Sequence, residues 1–72
     1  MSRNTDNVIR LINAGGNLSV NCDGRNTDNV LRVIKAAQKK NTKLTLRNLD
    51  SHNTDNVIRI IKAAGDTVVL EV

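Results

Sequence analysis

The chain predicts a two-layer α/β fold in the order α-β-α-β-α-β: a three-stranded parallel sheet with three helices packed on one face. Three observations carry this. One phrase with a 3.6-residue apolar period occurs three times, at Asn4–Ile12, Asn26–Ile34 and Asn53–Ile61. Short runs between the copies alternate with a period of two. The helix-to-strand links are only about two to four residues, which turns the chain straight back and makes the strands parallel with right-handed crossovers.

The elements follow in order. In the first copy Val8, Ile9, Leu11 and Ile12 form one wide apolar helical face, and Gly15-Gly16 stands where a left-handed C-cap ends it. Leu18 to Cys22 reads as the first strand. In the second copy Val30, Leu31, Val33, Ile34 and Ala37 fall at i, i+1, i+3, i+4 and i+7, and Leu44 to Arg47 reads as the second strand. The third copy, closed by Gly65 as another left-handed cap, leads into Val68 to Val72. An Asn-Thr pair before each helix supplies a capping oxygen, and Asp6, Asp28 and Asp55 lie in the first turns, where the helix dipole favours an anion.

Strand alternation decides the layering. Leu18, Val20, Cys22, Leu44, Leu46, Val68, Leu70 and Val72 share one face; Ser19, Asn21, Thr45, Arg47, Val69 and Glu71 share the other. Strands covered on both faces read as continuous apolar runs, and these do not. The order 1-2-3 is favoured over 2-1-3, which would place crossover helices on both faces; only the apolar Val69 dissents. Two sheet edges stay open in either case, so the expected partner is a second copy of the chain, in a homodimer through sheet edges.

The 72 residues form one small domain of three helix-strand units, about 3–24, 25–51 and 52–72. Hydrophobic residues make up 39% and charged residues 25%, a globular composition. Asn-Thr-Asp-Asn-Val stands identically in all three copies, which start 22 and then 27 residues apart. Drift erodes polar positions first, so the copies are recent duplications or deliberate; the expectation is an engineered α/β repeat protein.

Two stretches resemble known families. Ser51 to Val72, with His52, Gly65 and the Val68–Val72 run, resembles the last helix and strand of a PDZ domain. In that family a histidine opening this helix contacts the Ser or Thr of a bound peptide's end, and His52 matches that position. The family's glycine-and-hydrophobic carboxylate loop has no counterpart in this chain, so peptide binding is not carried over. Lys39 to Asn48 resembles a leucine-rich repeat, in which a Leu-x-Leu strand alternates with a helix. There the ladder asparagine would fall at Leu49; here it stands at Asn48.

Composition excludes several classes. No apolar run approaches the ~20 residues that span a bilayer, and Met-Ser-Arg-Asn-Thr-Asp at the start lacks the apolar core of a signal peptide. No membrane segment and a reducing compartment are therefore expected. Cys22, the single cysteine, makes neither an internal disulfide nor a zinc site alone. On the apolar strand face it reads as a small hydrophobe, and His52 reads as a solvated loop residue. The three Asp side chains, on helix starts roughly 10 Å apart, are too far apart for shared ligation and read as local caps. No phosphate loop, dinucleotide fingerprint, metal motif or nucleophile elbow is present. Neither cofactor nor metal nor catalysis is expected.

The basic residues give the one hint of binding. Net charge is +4 and the pI about 9.9. Arg10, Arg32 and Arg59 are equivalent, with Lys35 and Lys62 three residues beyond the second and third, so stacked helices would align them as a ridge. Such a ridge suits phosphates in a salt-dependent, sequence-blind way, yet Phe, Tyr and Trp, which stack bases, are all absent. A non-catalytic, self-associating scaffold is therefore favoured. The alternative is a small basic module contacting nucleic acid or an acidic partner through the ridge, or using the polar sheet residues Ser19, Asn21, Thr45, Arg47 and Glu71.

Overall fold

Each copy of the repeated phrase folds the same way because its first residues settle the helix start locally. The computed structural model describes residues 4–71; position 3, at the start of the first unit, and Val72 lie outside the described residues. Asn4, Asn26 and Asn53 are extended, and their side-chain oxygens accept from the backbone N–H groups of Asn7 (2.8 Å), Asn29 (2.9 Å) and Asn56 (2.9 Å). The cap is thus the asparagine, and the aspartate two residues on is left free for other contacts. Three α-helices follow: α1 Thr5–Asn13, α2 Thr27–Lys40 and α3 Thr54–Ala64. They alternate with strands β1 Leu18–Asn21, β2 Leu44–Arg47 and β3 Val68–Leu70.

The helices end in three different ways. After α1, Gly15 takes φ +96°, and the N–H groups of Gly15 and Gly16 bond back to the carbonyls of Ile12 (2.8 Å) and Leu11 (3.0 Å). A Cβ on Gly16 would lie 2.9 Å from the Leu11 carbonyl oxygen, so the close return of the chain requires glycine there. α2 runs on to Lys40 and is closed by Asn41 in the left-handed region, with Asn41 and Thr42 bonding back to Gln38 and Ala37. Gly65 does not make the left-handed cap expected of it. Its φ of 62° and ψ of −154° belong to a region held essentially by glycine alone, and a 3-10 turn over Gly65–Thr67 follows. The last carbonyls of α3 are met from another unit: Gln38 Nε2 donates to Ala63 O (2.7 Å) and Ala64 O (3.1 Å).

The sheet is parallel in the order β1-β2-β3. Leu18, Leu44 and Val68 stand in register, as do Val20, Leu46 and Leu70. Ser19, Thr45 and Val69 form the intervening row on the opposite face, where Val69 is exposed. α1 packs on α2 and α2 on α3. The molecule measures only 17 Å along its short axis, and a second helix layer would add about 10 Å. One layer of helices covers one face of the sheet, as the alternation requires.

The buried apolar side chains form a single cluster drawn from all three units, including Ile12, Val30, Ile34, Leu46 and Ile60. Leu49 belongs to it and is fully buried, although the alternating pattern ends before it. Asn48, at φ 61°, reverses the chain after β2, and the 3-10 turn Leu49–Ser51 then tucks the leucine under the helices.

Candidate functional site

The predicted ridge residues are surface groups on successive helices, but two of the arginines are already engaged. Arg32 Nη2 lies 2.7 Å from Asp6 Oδ1, and Arg59 Nη2 lies 3.5 Å from Asp28 Oδ1. Each arginine thus reaches back to the first-turn aspartate of the preceding unit. Asp6 and Asp28, expected to act as local caps, serve instead as receptors for the next helix, and Asp55 has no such partner among the described residues. Each arginine also leans on the asparagine of its own first turn: Arg32 on Asn29 and Arg59 on Asn56, both at 3.3 Å, and Arg10 on Asn7 at 3.5 Å. Arg10 has no carboxylate partner among the described residues. Lys35 and Lys62 are exposed. The ridge is therefore a row of alternating charge with one arginine and two lysines uncompensated. Both ion pairs are more than half exposed, so each is worth at most about 1 kcal/mol.

A second, more buried set of contacts lies beneath the first. The residue before the capping asparagine is Arg25 in one unit and His52 in the next. Arg25 Nη1 donates to Thr5 Oγ1 at 2.8 Å, and His52 Nδ1 lies 3.1 Å from Thr27 Oγ1. His52 Nε2 lies 3.1 Å from the Cys22 carbonyl oxygen. A carbonyl only accepts, so Nε2 carries the proton, and in the neutral ring Nδ1 accepts from the Thr27 hydroxyl. His52 is therefore not the solvated loop residue expected. It is half-buried and ties its own unit to both of the others, and both ring nitrogens are occupied where the PDZ-like position would present one to a peptide.

On the polar sheet face Arg47 Nε donates to Ser19 Oγ at 2.8 Å, and Asn48 Nδ2 donates to Asn21 Oδ1 at 2.9 Å. Asn21 Oδ1 also accepts from the Asp23 backbone N–H at 3.0 Å. An asparagine-to-asparagine rung thus links neighbouring units although Asn48 sits one place off the leucine-rich spacing. Three of the five polar side chains expected to greet a ligand are thus engaged, Arg47 with Ser19 and Asn21 with Asn48; Thr45 is half-buried and Glu71 exposed.

Burial pushes the Cys22 thiol above its ordinary value, outweighing the opposing charge of Arg25, the Arg47 backbone N–H and the Arg47 charge. The side chain is 0% exposed, so at neutral pH it stays a protonated, apolar filler. Among the described residues no group of three or more His, Cys, Asp or Glu is placed to hold a metal ion, and no helix is long and apolar enough to cross a membrane. An open groove of about 520 Å³ lies between the starts of α1 and α2, lined by residues such as Thr5, Asp6, Arg25 and Arg32, already joined in pairs. Signals for these contacts existed in the sequence, in the strict equivalence of Asp6 with Asp28 and Arg32 with Arg59. What the sequence lacked was the offset between helices that brings an arginine to the aspartate of the unit before it. Comparison with protein-family models, with curated proteins and with solved structures finds no match.

Proposed function

We propose that this chain is a structural repeat module, a scaffold of designed or reconstructed origin whose role is to stack unit on unit rather than to catalyse a reaction. The observation that carries this reading is the recurrence of the same inter-unit contacts at equivalent places. Asp6–Arg32 is repeated by Asp28–Arg59, and Thr5–Arg25 by Thr27–His52. Side chains that would otherwise make a site are committed to the neighbouring unit. This is the behaviour of a quasi-one-dimensional array, whose stability is a sum of unit and nearest-neighbour terms.

The test is to insert one further copy of residues 26–52 after His52 and compare melts at a concentration low enough to suppress association. An array of stacking units gains a complete interface, and its melting temperature rises. A melting temperature equal to or below that of the parent counts against the reading. The basic-module alternative is tested by titrating mixed-sequence DNA at low and moderate salt. With Arg32 and Arg59 paired, the ridge keeps only Arg10, Lys35 and Lys62 uncompensated, so weak or no binding at low salt is expected. Tight binding that falls steeply with salt would replace the scaffold by the basic module.

A further inference from the structure

The two ends of the stack are unfinished in complementary ways. Leu11, Val33 and Ile60 hold the same place in the three phrases, as do Ile12, Ile34 and Ile61. Val33 and Ile60 are fully buried but Leu11 is 40% exposed; Ile12 and Ile34 are fully buried but Ile61 is 52% exposed. The first place therefore faces the preceding unit and the second faces the following one. Charge follows the same rule. Because each arginine reaches back to the aspartate before it, Arg10 at one end lacks a carboxylate, and Asp55 at the other lacks a cation, among the described residues. A groove of about 420 Å³ runs beside α1, lined by Asn7, Arg10, Leu11 and Ala14. β1 and β3, as the outer strands of the order 1-2-3, each keep one open edge.

We propose that these two ends are a matched interface for a second copy of this chain, docked head to tail, with α1 and β1 of one copy against α3 and β3 of another. The inference rests on the stacking reading above and names its partner. Arg10 of one copy takes Asp55 of the copy before it, as Arg32 takes Asp6; Ile61 and Leu11 cover one another, as Ile34 and Ile60 are covered within the chain. The parallel sheet continues from β3 into the β1 strand of the following copy. A twofold dimer would offer each end only its own charge, Arg10 to Arg10 or Asp55 to Asp55, and like charges brought together disfavour it. A head-to-tail contact joins unlike surfaces, so it repeats and builds an open series instead of closing at two chains.

Sedimentation equilibrium of the intact chain at low salt tests this. The weight-average mass is expected to climb with concentration past that of two chains. Asp55→Arg and Arg10→Asp, each alone, set like charges at the joint and are expected to weaken association about tenfold or more. An equal mixture of the two variants restores it, since each then meets its complement. Circular dichroism at low concentration checks that each variant folds; should Asp55→Arg unfold α3, Ile61→Lys blocks the same end through its apolar side. A chain that stays monomeric at every concentration, a plateau at two chains, or charge variants that associate as well as the parent would each overturn the inference. A monomeric parent whose four-unit version still melts higher would sink the head-to-tail joint and leave the stacking reading intact.

Discussion

Helices α2 and α3 begin with nearly the same nine residues, yet one is wrapped and the other is half bare. In α2, Val30, Val33 and Ile34 are all fully buried. In α3 the equivalent Ile60 is fully buried, Val57 is half-buried, and Ile61 is more than half exposed. Ile58 is exposed too, where Leu31 is half-buried. Their caps are superimposable in kind: Asn26 and Asn53 have the same extended backbone and the same 2.9 Å bond to the third residue of the helix. Identical local instructions therefore give identical helix starts, while burial is conferred by whichever unit lies alongside. Hydrophobic stabilisation belongs to area removed from water and not to residue type.

This contrast can be broken or sharpened experimentally. The largest effect is expected from Ile34→Ala, which empties a closed site and should cost about 2–5 kcal/mol. Ile61→Ala, measured by urea denaturation at a concentration where the chain is monomeric, should cost less than about 1 kcal/mol. Similar losses at the two positions would mean that α3 is covered in solution by something besides its own chain. Next come the caps: Asn26→Ala and Asn53→Ala should each cost about 1 kcal/mol, and nearly the same amount, because capping is local. A large difference between them would show that helix starts also feel their neighbours. Smaller still are the ion pairs, for which double-mutant cycles should return about 0.2–1 kcal/mol. The 2.7 Å pair Arg32–Asp6 should exceed the 3.5 Å pair Arg59–Asp28.

The smallest effect concerns Cys22. Its thiol is held above the ordinary value by burial, so the folded chain keeps a proton that the unfolded chain gives up first. The resulting stability is fully present below the unfolded thiol pKa, and it is lost as pH rises through the alkaline range towards the folded value. Plotted against pH, the stability of the parent should therefore fall more steeply above about pH 8.5 than that of Cys22→Ala. Parallel curves would show that the thiol titrates alike in both states.

Much of the architecture was legible because it depends on periodicity. The switch from a 3.6-residue to a two-residue pattern marked the three α-helices and three strands, and the polar Ser19, Asn21, Thr45, Arg47 and Glu71 favoured one layer of helices and the order 1-2-3 against the apolar Val69. The parts that were not legible depend on distance between units. Leu49 lies beyond the alternating run, and nothing local shows that Asn48 would adopt a positive φ and fold it inward. His52 looked solvated because its two partners, Thr27 and the Cys22 carbonyl, lie 25 and 30 residues away in sequence. The pairing of Arg32 with Asp6 and of Arg59 with Asp28 depends on how far one helix is offset from the next, a quantity no pattern of residue types encodes. Unequal burial of equal phrases belongs to the same class.

The amide of Gln38 gives this arrangement a mechanical side. By holding the final two carbonyls of α3 it closes a helix to which it does not belong, and the glycine that follows makes no closure of its own. Fraying at that terminus is then controlled from α2. Backbone amides in the closing turn of α3 should exchange with deuterated water at a rate set by Gln38, and Gln38→Ala should quicken exchange there while the N-terminal turn of α3 keeps its protection. The middle helix thus acts as a latch on its neighbour, and loosening would begin at the hand-over from α3 to the last strand.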